Sequence, residues 1–441
     1  MSNRDHNTIT PAVQVADIND GIIAEVQKSE AQLATESVKG DEPPDGGVTA
    51  WLQVLGSFCL FWNHWGLVNA FGVFQTYYQN ELLTEMSPSA ISWIGSIQSF
   101  LLLSVGVLSG PLYDKGYLRS LLLAGSVLIV IGLMMTSLCT QFWQLVLAQA
   151  ICIGTGTGIL YIPSLAVIPQ YFHRRKALAL GLVVSGSSCG GVVYSIIFTE
   201  LQPRIGFGWT LRVMGLVALA MLSIGLAVVR RREEPSTKVR TLLDLPAFKE
   251  RPYVLYCATL CTSNIAFFTP IFYMQPFALV HGLQGQDVAL YLVAIMNACS
   301  VVGRLAPSLV ANKIGPVQTL LFSVSCTAIT VFAWIATTTG WGNIAFAAFF
   351  GFFSGAIVAL PAVVLTSFTP DLSRLGTRLG MSSVLNAVGS LIGTPIGGAI
   401  LSATGSYLGV QLWAGSVVTV TAFCLLALRF SLTGMKLKAK A

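Results

Sequence analysis

Arg304 is the residue in this sequence best suited to binding an anion, because it lies inside an otherwise apolar run, 287–311. A helical repeat of about 100° per residue places Asn297, Ser300 and Ser308 on the same side as Arg304. A guanidinium group binds a carboxylate through two parallel hydrogen bonds. The pattern predicts that Arg304 and Asn297 bind an anionic group; the alternative is that Arg304 extends to a polar interface and joins helix ends.

His64 is the second candidate, near the middle of the apolar run 51–74. An imidazole titrates near physiological pH, so His64 could couple proton movement, or it could be a neutral histidine bonded to a neighbouring helix. Other polar or aromatic side chains inside apolar runs are candidate contacts for a bound molecule, although each one alone is more often explained by packing between helices. They are Tyr161, Asn264, Phe268, Tyr273 and Asn386.

Several kinds of chemistry have no support in the sequence. The nineteen Asp and Glu residues all fall in tails, connections or helix ends, whereas a proton relay usually embeds a carboxylate. The nine cysteines form no CxxC pair, and GTGTG at 154–158 lies inside an apolar run and not after a strand. We therefore predict no enzyme activity, no metal and no cofactor.

Twelve apolar runs must position these residues. The chain is 54% hydrophobic and 10% charged, against roughly 25% charged residues in soluble proteins, so its surface must face lipid. Each run approaches the ~20 residues of a membrane-spanning helix, which predicts an all-α integral membrane protein. The predicted helices, numbered 1 to 12, are 51–74, 89–110, 118–138, 143–165, 177–198, 208–229, 253–276, 287–311, 317–337, 342–365, 378–401 and 408–429.

The basic residues support this count. If the N-terminus is cytoplasmic, the clusters at 115–119, 174–176 and 230–251 are cytoplasmic as well, and only Arg204 and Arg212 lie on the other side. This asymmetry follows the positive-inside rule. The clusters are short and separated by apolar runs, so the net charge of +6 does not indicate nucleic-acid binding. We expect both termini in the cytoplasm and a multi-pass protein of the plasma membrane.

The chain also divides into two similar halves. Pro361 of helix 10 follows Pro163 of helix 4 by nearly the same number of residues as Gly389 of helix 11 follows Gly186 of helix 5. Parallel repeats of this kind place a substrate site near mid-membrane, between the halves. The predicted regions are a disordered cytoplasmic tail at 1–49, a six-helix bundle at 50–229, a cytoplasmic linker at 230–252, a second bundle at 253–430 and a cytoplasmic tail at 431–441.

Six short motifs carry a resemblance to a known family. They are DGG at 45–47, GPLYDKG at 110–116, YFHRRKALALG at 171–181, NKIG at 312–315, GTRLGM at 376–381 and GTPIGG at 393–398. The second and fourth resemble the signature of the major facilitator superfamily. The first and third are similar to the monocarboxylate porter family within it, and the last two resemble the fungal members of that family. Superfamily likeness covers about residues 45–430.

The resemblance implies a major facilitator fold of two six-helix pseudo-repeats. In the porter family an arginine of helix 8 binds the substrate carboxylate, and Arg304 lies at the matching place. Ser300 stands where the animal porters carry an aspartate, and the stretch 70–73 lacks their lysine. Lactate-type proton cotransport is therefore not implied. Fungal members of the branch are linked to varied substrates, including vitamins and secondary metabolites.

We expect a secondary transporter that moves a small organic anion, or a related small molecule, across the lipid bilayer by alternating access. Asp114, Lys115, Arg175 and Arg378 are predicted to form a cytoplasmic gate through charge pairs and helix-end contacts. Two alternatives stay open: an efflux carrier for a fungal secondary metabolite, and a non-transporting nutrient sensor on the same fold. We expect a monomer, with the proton as a candidate coupling ion.

Overall fold

A computed structural model describes residues 44–232, 243–281, 286–369 and 374–434, and every regular element in these ranges is helical. Most of the predicted N-terminal tail, the middle of the predicted linker and the end of the C-terminal tail lie outside the described residues. The described residues from Asp45 onward form one compact unit.

The described residues form twelve helical spans, which is the predicted number. The described residues contain ten helices that are long and apolar enough to cross a membrane. One of them, Lys176–Val228, holds two spans, because Gly206 adopts φ 76° and ψ 165° and breaks the helix. Val48–Asn69 supplies the remaining span. Helix 5 continues almost to Gly206 instead of ending at residue 198 as predicted, since a glycine is the residue that readily adopts a positive φ.

The helix bounds follow the predicted runs closely. Helix 1 is Val48–Asn69 continued by Phe71–Tyr77, helix 2 is Pro88–Asp114, helix 3 is Leu118–Thr136, and helix 4 is Phe142–Leu145 continued through Val146–Ile153 and Gly154–Ala166. Helices 5 and 6 are the two parts of Lys176–Val228. Helix 7 is Arg251–Val280, helix 8 is Leu292–Ile314, helix 9 is Pro316–Ala333, helix 10 is Gly340–Ala359 continued by Pro361–Ser367, helix 11 is Leu375–Thr404, and helix 12 is Tyr407–Thr433.

Consecutive helices run in opposite directions, so their connections alternate between two faces of the bundle. We call one the Asp45 face, because Asp45 lies there against the loop before helix 5. We call the other the Glu81 face, where Gln202 Nε2 donates to Glu81 Oε2 at 3.1 Å.

The two halves pack their helices in the same way, as a repeat requires. A Cβ added to Gly190 of helix 5 would meet the carbonyl oxygen of Trp62 in helix 1. A Cβ added to Gly393 of helix 11 would meet the carbonyl oxygen of Ile265 in helix 7. Glycine lets backbones approach this closely because it has no side chain. Helices 5 and 11 therefore hold equivalent places against helices 1 and 7.

The glycine-rich run 154–158 packs helix 4 against helix 2. A Cβ on Gly154 would lie 3.1 Å from Cα of Gln98, and one on Gly158 would lie 2.7 Å from the carbonyl oxygen of Leu101. Close packing of helices 2 and 4 thus explains these glycines.

Asp45 ties the start of helix 1 to the loop that precedes helix 5. Its Oδ1 accepts hydrogen bonds from the backbone N–H groups of His173 at 2.6 Å and Arg174 at 2.8 Å. The bond from the Arg174 N–H is the main cause that lowers the pKa of Asp45. A carboxylate at this position caps the exposed N–H groups at the start of helix 5. The DGG motif therefore has a structural function.

Candidate functional site

A cavity of about 190 Å³ lies between the two halves. Ala177, at the start of helix 5, and Ala311, at the end of helix 8, both line it, so it extends from mid-depth toward the Asp45 face. Helices 1, 2, 4 and 5 form one wall, and helices 7, 8, 10 and 11 form the other. The aromatic and polar lining residues are Phe61, Trp65, Tyr161, Tyr256, Asn264, Phe267, Ser308, Ser382, Ser383 and Asn386.

The lining carries no formal charge. As far as the chain is described, no Asp, Glu, Lys, Arg or His belongs to it. Transferring an ionised carboxylate into such surroundings costs several kcal/mol unless a partner compensates for it. The cavity is therefore suited to an uncharged molecule.

Aromatic rings form the end of the cavity that lies deepest in the bundle. Trp65 of helix 1 stacks on Phe268 of helix 7, with ring centroids 6.4 Å apart and an interplanar angle of 6°. Tyr161 meets Trp65 edge-on at 6.1 Å. Tyr161 thus lines the cavity as the sequence suggested, whereas Phe268 lies one layer behind and supports Trp65.

Asn264 and Asn386 are brought together at the cavity wall, although they are far apart in the sequence. Asn264 Nδ2 donates to Asn386 Oδ1 across the contact between helices 7 and 11. Both side chains line the cavity and are half-buried. These two candidates from the sequence are therefore in contact with each other and with the cavity.

His64 lies behind the cavity wall and is fully buried. Its Nε2 lies 3.3 Å from Ser164 Oγ, and that hydroxyl donates to the carbonyl oxygen of Tyr161 at 2.7 Å. Ser164 therefore accepts from Nε2–H, and a charged ring would place a second N–H on the buried Nδ1, which has no hydrogen-bond partner. Phe61 packs against the ring at 4.2 Å. These surroundings favour the neutral histidine of the two interpretations.

Arg304 does not line the cavity in this conformation. It is 2% exposed, and its Nη1 donates across the interface to the Val184 carbonyl oxygen at 2.9 Å and to Ser187 Oγ. Its Nε lies 3.3 Å from Ser300 Oγ. Since Val184 and Ser187 belong to helix 5, the guanidinium joins helix 8 of the second half to the first half.

Asn297 and Tyr273 also lie at contacts outside the cavity. Asn297 Nδ2 donates to the carbonyl oxygens of Val293 at 2.9 Å and of Asn69 at 3.4 Å. The Tyr273 hydroxyl donates to the carbonyl oxygen of Thr394 at 2.9 Å. Both side chains hold helices together on the Glu81 side of mid-depth.

The halves meet directly on the Glu81 side. A Cβ on Gly72 of helix 1 would meet the carbonyl oxygen of Ile271 in helix 7. The rings of Phe71 and Phe272 pack with centroids 4.7 Å apart. Ser89 Oγ donates to the carbonyl oxygen of Pro395 at 2.9 Å, which joins helix 2 to helix 11. These contacts close the path from the cavity to the Glu81 face.

The predicted gate residues lie on the Asp45 face, where their described contacts stay within one half or its adjoining linker. Arg378 Nη1 donates to Glu250 Oε2 at 2.9 Å, and its Nε lies 3.3 Å from Asp244 Oδ2. The carbonyl oxygen of Asp114 accepts from Arg231 Nη1 at 3.2 Å. The Arg175 N–H lies 3.4 Å from Asp45 Oδ1. A latch between the halves, including Lys115, remains a prediction for another state.

Replacing Asp244 with asparagine is expected to reduce the sensitivity of the protein to acid. Hydrogen bonds from Arg374 lower the pKa of Asp244 below its ordinary 3.8. Its carboxylate therefore stabilises the fold above the ordinary pKa, and this contribution is lost as the pH falls through the depressed value. The Tm of the native protein in detergent should exceed that of Asp244→Asn at about pH 6, and the difference should shrink at about pH 3. An equal difference at both pH values would contradict this explanation.

Several lining residues were not singled out from the sequence. Tyr256, Leu260 and Phe267 line the cavity from helix 7 together with Asn264, which was already a candidate from the sequence. Their spacing of four, four and three residues places them on one helical face. That spacing, together with the aromatic residues Phe61 and Trp65 four positions apart in helix 1, is the sequence pattern from which the lining could have been predicted.

Comparisons with known proteins agree with this architecture. A family model described as Major Facilitator Superfamily matches residues 54–345. The MFS-type transporter dbaD of Emericella nidulans is 42% identical over 400 residues, which cover 90% of each chain. The aspyridones efflux protein apdF of the same organism is 39% identical over 402 residues, which cover 90% of this chain and 81% of the relative.

A third relative and a solved structure extend the likeness. The MFS-type transporter pynF of Aspergillus niger is 38% identical over 385 residues, which cover 85% of this chain and 88% of the relative. The crystal structure of a mutant nucleoside transporter NupG superposes with a TM-score of 0.66 at 12% identity, over 86% of this chain and 99% of that one, which shows a shared fold. The relatives' names give the superfamily or an efflux activity, so the narrower likeness to monocarboxylate porters stays a prediction.

Proposed function

Because this chain belongs to the major facilitator superfamily, we propose that it exports a secondary metabolite by alternating access. The observation that carries the proposal is the cavity between the halves, whose described lining is uncharged and whose path to the Glu81 face is closed. The name of the aspyridones efflux protein, a relative at 39% identity, supports export over uptake.

The orientation of the cavity in the membrane is inferred from the charges of the Asp45 face. Lys115, Arg174 and Arg231 lie there, and basic connections of membrane proteins favour the cytoplasmic side. With the Asp45 face in the cytoplasm, the cavity extends toward the cell interior, from which an exporter loads its substrate. The plasma membrane is the membrane in which such export would serve the cell.

Alternating access would require the halves to rock against each other around the cavity. Opening the Glu81 side separates Gly72 from Ile271 and breaks the bond between Ser89 and Pro395. Closing the Asp45 side would bring Asp114, Lys115, Arg175 and Arg378 toward one another, as the gate prediction requires. The tight glycine contacts between helices 1 and 5, and between helices 7 and 11, lie within single halves and would stay intact.

Transport of a carboxylate is the second candidate, because buried Arg304 has no carboxylate among its described contacts. Under the export proposal, Arg304→Gln removes the charge and leaves a shorter amide, which gives up part of the hydrogen bonding of the guanidinium. Flux of the exported molecule, normalised to folded protein, should then stay within about fivefold, since a neutral hydrogen bond contributes about 1 kcal/mol. A selective loss of flux for an acid, with neutral compounds unaffected, would favour the carboxylate candidate instead.

The test of the proposed function is a comparison of metabolites inside cells and in the medium, with and without the gene. Export predicts that one or more secondary metabolites accumulate inside cells when the gene is deleted, while their amount in the medium falls. Reintroducing the native gene should restore the ratio. A non-transporting sensor would instead change the total amount of a metabolite and leave its distribution unaltered, and that result would contradict the proposal.

A further inference from the structure

The amide pair Asn264 and Asn386 has hydrogen-bonding capacity that the protein does not use. Their mutual bond and a 3.5 Å contact from Asn264 Nδ2 to the Leu260 carbonyl oxygen occupy Asn264 Nδ2 and Asn386 Oδ1. Asn264 Oδ1 and Asn386 Nδ2 have no partner among the described residues, and neither is sealed away from the cavity. The pair therefore keeps one unused acceptor, Asn264 Oδ1, and one unused donor, Asn386 Nδ2.

This result does not depend on how the two amide groups are oriented. If both are turned over, the bond between them runs in the opposite direction, and one donor and one acceptor are again left over. Half-buried amide groups at a cavity wall are normally satisfied by water or by a ligand.

The hydroxyl groups of four other lining residues already donate to the backbone. The Tyr256 hydroxyl donates to the Pro361 carbonyl oxygen at 3.0 Å, and Ser308 Oγ donates to that of Arg304 at 2.8 Å. Ser382 and Ser383 both donate to the Leu379 carbonyl oxygen. The amide pair is thus placed to orient a ligand, while the rings of Phe61, Trp65, Tyr161 and Phe267 contact its apolar body.

We propose, on the basis of the proposed function, that Asn264 and Asn386 bind an uncharged aromatic molecule through a hydrogen-bond donor and acceptor on adjacent atoms, as in a lactam. The ligand N–H donates to Asn264 Oδ1, and the ligand carbonyl accepts from Asn386 Nδ2. A carboxylate lacks the donor and carries a charge that the described lining does not compensate. A ligand without the donor leaves Asn264 Oδ1 unpaired, which costs binding free energy.

The test uses 2-quinolinone, a bicyclic lactam, and its N-methyl derivative, in which a methyl group replaces the donor hydrogen. Binding of each is measured on the full chain in lipid nanodiscs, with empty nanodiscs as the baseline for partitioning into lipid. We expect the native protein to bind 2-quinolinone about tenfold more tightly, because losing one hydrogen bond to a buried group costs about 1–2 kcal/mol. Equal binding of the two probes, or no binding of either, overturns the inference.

A double variant, Asn264→Leu with Asn386→Leu, removes both amides at similar volume. We expect it to bind the two probes alike, with size-exclusion chromatography confirming that it folds. A preference for 2-quinolinone that survives in the double variant overturns the inference.

The two proposals fail in different ways. If the native protein prefers 2-quinolinone but deletion of the gene leaves the distribution of metabolites unchanged, the proposed function is wrong and the binding inference stands. If deletion alters the distribution but the native protein does not prefer 2-quinolinone, the inference is wrong and the proposed function stands.

Discussion

Gly393→Ala is expected to prevent helix 11 from packing against helix 7, and so to lower the yield of folded protein severely. The added methyl group would meet the carbonyl oxygen of Ile265, which belongs to the backbone and cannot rotate away. Overpacking a well-packed interface costs about 1–3 kcal/mol, and a contact with backbone falls at the upper end. The measurement is the Tm and the fraction of monodisperse protein in detergent.

Gly397→Ala is the matched control, one helical turn further along the same helix. A Cβ there would lie 3.4 Å from Thr269 and Tyr273 side-chain carbons, an ordinary van der Waals distance. Alanine is also the better helix former, by about 1 kcal/mol, so this variant should be neutral or slightly stabilised. Gly190→Ala should behave like Gly393→Ala, since both glycines hold equivalent places in the repeat. Similar Tm values for Gly393→Ala and Gly397→Ala would contradict the packing described for helices 7 and 11.

Ser383→Trp is expected to stop transport while leaving the fold intact. Ser383 lines the cavity and is half-buried, so an indole at this position would occupy much of the roughly 190 Å³ that the substrate uses. We expect the flux per folded molecule to fall at least about tenfold, which corresponds to about 1.4 kcal/mol in the barrier. Flux is measured in proteoliposomes with the metabolite identified from the deletion strain.

Val384→Trp provides the control for added bulk on helix 11. Val384 is 42% exposed on the outer surface of the bundle and does not line the cavity. A tryptophan there would face lipid, which accommodates an indole readily. Its flux should match that of the native protein. Equal inhibition by the two variants would show that bulk on helix 11, and not filling of the cavity, is responsible.

The number of helices could be predicted from the sequence because a lipid environment imposes a strong constraint on length and composition. Each span needs about 20 apolar residues, and basic connections favour one side. The repeat was also visible, because Gly186, Gly190, Gly389 and Gly393 must all be small to allow close backbone contact. The end of helix 5 was misplaced most, since nothing in the sequence marks Gly206 as the break over other glycines.

The residues of the site were harder to predict from the sequence. A membrane-spanning helix that is apolar on all sides gives little indication of which face packs against the other half. Asn264 and Asn386 were recognised as isolated polar groups, but their contact depends on how helices 7 and 11 pack. Arg304 was predicted to contact a substrate, but its side chain contacts another helix instead. Its charge and position suggested a substrate contact, whereas its hydrogen bonds to Val184 and Ser187 depend on helix 5, which lies far away in the sequence.

The most direct test of the central claim is the flux of the identified metabolite from proteoliposomes that contain the native protein, compared with Ser383→Trp and Val384→Trp. The cavity between the halves is predicted to be the transport path, so the native protein and Val384→Trp should release the metabolite at similar rates, and Ser383→Trp should approach the rate of protein-free liposomes. Unimpaired release by folded Ser383→Trp would contradict the claim that the substrate passes through this cavity.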